Sequence, residues 1–238
     1  GKELFATSTE ALKQLVKNTH VFAEVEPQQN ERVILARKQT YTVAYMGDGI
    51  NDVSAINAAD VGISVENAVD VAREAADFVL MEKNLMVLVD GIKEGRKTLA
   101  NTMKYLFIRT GSTFGNMCSV AAASLVLPFL PMLPKQILLT NFLTDFPFLM
   151  VTSDNVDQEQ LQRPGKWDIK LIRSYMVVFG VHSSIFDLIT FMTLYFLLKV
   201  KESQFQTSWF IESVLSELLI VFIIRTHKNF FKSKPGKY

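Results

Sequence analysis

The sequence predicts an α/β domain followed by an all-α bundle of transmembrane helices. Three observations carry that prediction. Short β-forming runs alternate with helix-compatible stretches near the N-terminus, the pattern of a parallel sheet. Long apolar runs then recur to the end of the chain. Charge divides in the same way. Residues 1–104 hold twelve Lys/Arg against fifteen Asp/Glu, a net of −3, and residues 105–238 hold thirteen against nine, a net of +4.

The 238 residues are 49% hydrophobic and 21% charged, which excludes a disordered chain. A net charge of +1 gives no global basic field to attract nucleic acid. One cysteine, Cys118, excludes an internal disulfide or a thiolate metal cluster. The chain opens at Gly1 without a charged-then-apolar signal segment, and reads as a fragment.

In the first part, Thr7-Ser8-Thr9-Glu10 has capping-box spacing, and Leu12, Leu15 and Val16 line one face of the helix it starts. His20–Val25 reads as a short strand. Pro27 suits the first turn of a second helix, which carries Val33, Ile34 and Ala36. Tyr41–Met46 is rich in β-formers and bounded by glycine. A helix follows over about residues 51–59, then a strand at Val61–Val65, a helix at Ala68–Ala75 and a strand at Phe78–Met81. In a sheet of this kind the functional loops sit at the carboxyl ends of the strands.

The loop expected there is Gly47-Asp48-Gly49-Ile50-Asn51-Asp52. Two glycines let the backbone turn sharply and leave room for an anion. Asp48 leaves the strand and Asp52 enters the helix, so both carboxylates can converge on one point. Hard oxygen ligands of this kind suit Mg²⁺. The loop is not an EF-hand, because Ile50 occupies the third position, where an oxygen ligand is required. A bare Asp-Gly pair is equally compatible with an ordinary turn.

The longer string decides between them. Tyr45-Met46-Gly47-Asp48-Gly49-Ile50-Asn51-Asp52, followed by Ala58-Ala59-Asp60-Val61-Gly62-Ile63-Ser64, resembles the hinge motif of P-type ion-translocating ATPases. Phe22-Ala23-Glu24-Val25-Glu26-Pro27 is similar to a second stretch of their phosphorylation domain. Leu130-Pro131-Met132-Leu133-Pro134, Asp154-Asn155-Val156-Asp157 and the run from Ser183 to Phe191 most resemble the bacterial magnesium-transporting (type IIIB) branch. The resemblance implies that residues 1–83 are the C-terminal part of a cytoplasmic, haloacid-dehalogenase-like phosphorylation domain. It implies that Asp48 holds Mg²⁺ beside an aspartyl phosphate, with Asp52 as a second metal ligand. Asn51 and Asp52 then support the phosphate site, and Gly47 and Gly49 shape it, with ATP as substrate of the intact protein. Asn30 stands where the family usually has a lysine, Ser54 where it has proline and Ile56 where it has leucine. No Asp-Lys-Thr-Gly occurs, so the phosphate-accepting aspartate and the nucleotide-binding domain lie in a missing N-terminal part. The chain alone is not expected to hydrolyse ATP.

Residues 84–104 read as a charged stalk helix, residues 105–226 as a bundle of about four spans and residues 227–238 as a basic cytoplasmic tail. The apolar segments run over about 105–127, 134–153, 172–198 and 208–225, against the roughly 20 residues a span requires. Membrane lipid is therefore a partner. Lys93, Arg96, Lys97, Lys104 and Arg109 precede or enter the first span. Pro128–Pro134 carries no basic residue, although Lys135 follows. Arg163, Lys166, Lys170 and Arg173 lie in the second loop, Lys199 and Lys201 in the third, and Arg225, Lys228, Lys232, Lys234 and Lys237 at the end. The positive-inside rule then places the protein as multi-pass in the cell membrane with both ends cytoplasmic.

Polar residues inside spans are costly and mark pathways. Asn141 and Asp145 are four apart on one face, Thr144 lies beside them, and Pro147 can free backbone carbonyls. No Lys or Arg lies within one helical turn of Asp145. Gly111, Ser112, Thr113, Gly115 and Asn116 allow close helix approach and add oxygens, which small-residue packing also explains. The resemblance implies that Asn116, Asn141, Thr144 and Asp145 bind a transported divalent cation. Asp187, Glu212 and Glu217 are further intramembrane acids, and Asp187 joins the candidate ligands. His182 has no second histidine nearby. The function expected is part of an ATP-driven pump for a divalent cation, magnesium by resemblance, working through an aspartyl phosphate. The rivals are a calcium-type pump, a membrane-tethered phosphatase and a non-catalytic pseudo-pump or truncated membrane module.

Overall fold

The computed structural model describes residues 4, 6–82, 84–162, 164–226, 228–229, 231 and 233–236. Arg163, Lys232 and Lys237, which entered the charge reading, and Gly1, at which the sequence opens, lie outside the described residues. The chain forms two compact units, Gly1–Gly91 and Ile92–Tyr238.

In the first unit, α1 spans Thr9–Asn18 and is capped by Ser8, whose Oγ accepts from Ala11 N at 3.3 Å. It buries Leu12 and Val16, while Leu15 is exposed. Helix α2, Pro27–Lys38, packs Ala36 and Val33 against α1. His20–Val25 is not a strand. The segment has no ladder partner among the described residues, and Glu24 turns it with φ of 53°. Three parallel strands follow in the order β1 (Ala44–Met46), β2 (Val61–Val65) and β3 (Phe78–Leu80). Their register pairs Tyr45 with Gly62 and Ser64 with Val79. The crossovers are α3, Val53–Ala58, and α4, Asp70–Ala75, which bury Ile56 and Ala72 against the sheet. The parallel order puts the loop 47–52 at the carboxyl end of β1, as expected for a ligand-bearing loop.

The second unit is helical. Helix α5 is one unbroken run from Leu85 to Ser124, so the expected stalk and first span are a single helix. Helix α6, Pro134–Met150, has 17 residues and is carried to Ser153 by a 3-10 turn. Helix α7 is a single turn, Gln158–Gln162. Helix α8, Ile169–Met192, ends in a π-helical turn to Leu197, and α9 covers Glu202–Ile224. Two of the four expected spans, Ile169–Leu197 and Glu202–Ile224, are long and apolar enough to cross a membrane, with mean hydropathies of 1.6 and 1.8. Helix α6, at about 1.5 Å per residue, is short of the hydrocarbon thickness.

Helices α5 and α8 run parallel in constant register. Phe107 and Tyr175 stack at 4.1 Å, Ser184 Oγ donates to Gly115 O at 3.0 Å, and Ser119 Oγ donates to Asp187 at 2.5 Å. Gly180 permits this approach, because a Cβ there would lie 2.5 Å from Phe114 Cδ1 and 3.1 Å from Gly115 N. Helices α6 and α9 are likewise parallel. Gln136 Nε2 donates to Gln206 O, and Ile220, Val221 and Ile224 pack against the cluster of Ile108, Phe148 and Val151. Large apolar side chains on these helices point outward, among them Val178, Phe186, Met192, Leu215 and Phe222. Polar ones such as Ser119, Thr144, Asp187 and Ser213 are buried. That inversion suits a bundle surrounded by lipid, where polar groups have no water outside to bind.

Asp154-Asn155-Val156-Asp157 closes one end of the unit. The Asp154 carboxylate accepts two bonds from Arg225, both at 3.0 Å, and one from Gly236 N at 2.8 Å, with Lys104 Nζ at 3.7 Å. Asn155 binds the carbonyls of Lys234 and Pro235, and Thr226 Oγ1 donates to Asp157. Burial alone would raise the Asp154 pKa. The Arg225 bonds, the Gly236 N–H and the two cations outweigh it and hold the carboxyl below its usual range. Burial depresses Lys104 in turn, with Asp154 and Asp157 opposing.

A depressed carboxylate adds stability that is present above its unfolded pKa of about 3.9 and disappears as pH falls through the folded value. Asp154→Asn leaves two buried cations without their shared counter-charge. It should cost about 3–5 kcal/mol, read as a lower unfolding midpoint in detergent at neutral pH, and the deficit should shrink as the solution is acidified.

Candidate functional site

The first candidate is the loop after β1. Gly47 is obligatory, because a Cβ there would overlap the Asp52 side chain. Gly47 N bonds Ile63 O, and the buried Ser64 donates from Oγ to Gly47 O at 3.0 Å. Asp48 O accepts from Val69 N, so the loop is tied to the segment after β2. Asp52 turns back on the loop. Its Oδ2 accepts from Asp48 N at 3.2 Å and Gly49 N at 3.1 Å, and its Oδ1 accepts from Tyr45 Oη at 2.7 Å. Asn30 Nδ2 donates to the same Tyr45 oxygen at 3.4 Å.

The expected convergence of two open carboxylates is therefore not what this geometry presents. Both Asp52 oxygens are engaged, so Asp52 holds the loop's shape. Asp48 is exposed, and its carboxylate makes no hydrogen bond or ion pair among the described residues. Asn51 is exposed beside it. One free carboxylate at a strand end, with room for phosphate and water oxygens, fits Mg²⁺, which binds through one or two carboxylates and keeps several waters. The described residues contain no cluster of three His, Cys, Asp or Glu that would hold a metal by itself.

Burial, the Asp52 hydrogen bond and the charges of Asp52 and Asp48 raise the Tyr45 pKa well above that of a free tyrosine. The neutral phenol is thus favoured by folding. That stability is complete below an unfolded pKa of about 10 and is lost as pH rises toward the folded value. Tyr45→Phe should lower the unfolding midpoint at pH 8, and the gap to the parent should narrow in a titration continued above pH 10.

The second candidate lies within the helical unit. Ala123, Met132, Phe191, Leu194, Phe205 and Trp209 form an apolar cluster towards the 128–134 loop. Ile108, Phe148 and Val151 form another towards Asp154. Between them is a polar layer. Glu217 on α9 is 8% exposed and accepts from Asn116 Nδ2 on α5 at 2.7 Å. The hydroxyls of Ser112 and Thr144 flank the same carboxylate, although Ser112 Oγ makes no hydrogen bond of normal geometry. No Lys or Arg forms an ion pair with Glu217 among the described residues. Asp187, 2% exposed, accepts from Ser119 Oγ and from Trp209 Nε1 at 2.9 Å, and Glu212 lies against it.

The structure brings two of the sequence-predicted ligands together, Asn116 and Thr144, and joins them to Glu217. Asp145 lies elsewhere. Its side chain is 44% exposed and forms an ion pair with Arg109 at 2.9 Å. The cation missing within a turn of α6 comes from α5. Asn141 is half-buried, and its carbonyl receives Thr144 Oγ1 at 3.4 Å. Asp187 sits in its own network. His182 is exposed, with its ring against Phe186.

Sequence reasoning passed over Thr140 and Ser213 and did not put Glu217 among the ligands. The spacing of Trp209, Ser213 and Glu217 was the available signal, since residues four apart share a helix face. Ser112 Oγ, Thr140 Oγ1 and Ser213 Oγ are buried without a hydrogen-bond partner. Each such group carries a desolvation cost of about 1–3 kcal/mol.

The chain thus joins an α/β loop with one open carboxylate to a helical bundle with a polar interior and an apolar exterior. Comparison with known proteins shows where that combination occurs. Residues 35–90 match the haloacid dehalogenase-like hydrolase family, and residues 129–237 match the family described as cation transporting ATPase, C-terminus. The chain is 45% identical over 233 residues to the magnesium-transporting ATPase, P-type 1, of Salmonella typhimurium, and 44% identical to that of Escherichia coli K12. Each alignment covers 96% of this chain and 26% of the relative. It is 30% identical to a calcium-transporting ATPase of Bacillus subtilis, over 99% of this chain and 27% of the relative. The chain belongs to the P-type cation-transporting ATPases, and its resemblance extends to their magnesium-transporting branch. It spans about a quarter of the length of the curated relatives it matches.

Proposed function

We propose that this chain is the C-terminal part of an ATP-driven pump that moves a divalent cation, magnesium, across a membrane through an aspartyl-phosphate intermediate. The observation that carries the reading is Glu217, a carboxylate enclosed with amide and hydroxyl oxygens between two apolar clusters and lacking an ion-pair partner among the described residues. A buried charge without a partner is strongly disfavoured. A divalent cation is the counter-charge that such an oxygen-lined site accepts, and hard oxygen donors favour magnesium or calcium. The magnesium assignment follows the two relatives of highest identity quoted above.

In this reading Glu217, Asn116 and Thr144 are the central ligands. Asn141 lies on the adjoining face of α6. Asp145 exchanges with Arg109 on the approach, and Asp187 with Glu212 borders the site. Asp48 holds Mg²⁺ at the phosphoryl site. Asp52 fixes the loop through Gly49 and Tyr45, and Asn51 and the glycines leave space for the phosphate. Mg²⁺ there supplies charge neutralisation to the transferred phosphoryl group. The ATP-binding part and the phosphorylated aspartate belong to the rest of the pump. The basic residues of α5 and of the loop before α8 support a cytoplasmic first unit, with residues 128–134 and 199–207 on the other side.

Two substitutions in the complete pump test the halves separately. Asp48→Ala should abolish phosphoenzyme formed from labelled ATP. Glu217→Gln should permit expression and insertion but raise the free Mg²⁺ needed for half-maximal ATPase by at least tenfold in reconstituted vesicles, a step of about 1.4 kcal/mol. A normal ion-activation curve for Glu217→Gln, with Asp145→Asn inactive, would move the site to Asp145.

A further inference from the structure

Among the described residues of the helical unit, Thr140 and Ser213 are the two most deeply buried hydroxyls that lack a hydrogen bond, at 3% and 1% exposure. They belong to different helices at one level. Gln136 meets Gln206, Thr144 flanks Glu217, and the cluster holding Phe148 and Val151 takes in Ile220 and Val221, so α6 and α9 advance together. Thr140 lies one turn before Thr144, and Ser213 one turn before Glu217. Both positions fall on the buried faces of their helices, which also carry Phe148 and Trp209.

We propose that Thr140 and Ser213 form a second position for the transported divalent cation, one helical turn from Glu217 towards the 128–134 loop. The proposal rests on the reading of Glu217 as a transport ligand and extends it. A helical threonine ordinarily satisfies its hydroxyl on the carbonyl one turn back, as Thr144 does with Thr140 O at 3.0 Å. Thr140 does not, and Ser213 finds no partner either. Two neutral oxygens suit a cation that keeps part of its water shell, as Mg²⁺ does. They hold it weakly, which is what a step leading to or from the carboxylate requires, since an ion must also leave. The apolar cluster of Phe205 and Trp209 closes the layer just beyond Ser213.

The test uses the complete pump purified in detergent, with Mg²⁺ alone as probe and no nucleotide. The readout is thermal unfolding over a Mg²⁺ titration. Mg²⁺ at Asp48 contributes equally in every variant. Thr140→Val and Ser213→Ala should each unfold no earlier than the parent without Mg²⁺, because each removes an unpaired buried hydroxyl. Each should raise the Mg²⁺ concentration for half-maximal protection about fivefold, the loss of roughly one net hydrogen bond. Thr140→Ser, which keeps the hydroxyl, should titrate as the parent does. If Glu217→Gln weakens protection while both hydroxyl variants titrate normally, the second position is wrong, the hydroxyls hold only structural water, and the Glu217 reading stands. If Glu217→Gln titrates normally, that reading falls and this proposal falls with it.

Discussion

The helical unit is organised by the need to enclose a polar layer between two apolar packings. Lipid offers no hydrogen bonds, so a polar side chain on a spanning helix is favoured to turn towards another helix. Ser112, Asn116 and Ser119 on α5, Thr140 and Thr144 on α6, Asp187 on α8, and Ser213 and Glu217 on α9 all do so. The aromatic cluster around Trp209 and the Ile108–Phe148 cluster seal the layer at either end. Exposed Val178, Phe186, Leu215 and Phe222 are the other half of the same constraint.

Close approach makes the layer possible. Gly180 lets α8 lie against α5 at Gly115, and their parallel register then carries Ser119 to Asp187. At the far end, Asp154 gathers Arg225, Lys104 and the Gly236 N–H around one carboxylate. The three strings whose resemblance points to the magnesium-type branch make contacts within this fold. Met132 packs in the aromatic cluster, Asp154 to Asp157 tie α5, α9 and the tail, and Ser184, Asp187 and Phe191 serve the α5, α8 and α9 contacts.

Much of this was legible in the sequence because it was local. The Ser8 cap, the β1 loop, the parallel order of strands and the apolar helices all follow from residue types at fixed spacing. His20–Val25 misled because β-forming residues make a strand only where a partner offers its backbone. Spacing shows Asp52 as an open carboxylate because it cannot say that Tyr45 and two loop N–H groups bond its oxygens. Asp145 looked unpaired because its partner, Arg109, lies on another helix. Glu217 was visible as an acid in a span, but its meeting with Asn116, 101 residues away in sequence, depends on packing.

In the proposed pump the transported cation is held at Glu217 rather than at Asp145. Mn²⁺ shares magnesium's preference for oxygen ligands in octahedral array and scatters anomalously. A crystal structure of the complete pump grown with Mn²⁺ distinguishes the two positions. An anomalous peak is expected at about 2.0–2.2 Å from a Glu217 carboxylate oxygen, with Asn116 and Thr144 oxygens around it and the Arg109–Asp145 pair intact. A peak at Asp145 with Arg109 displaced, and none at Glu217, would contradict it.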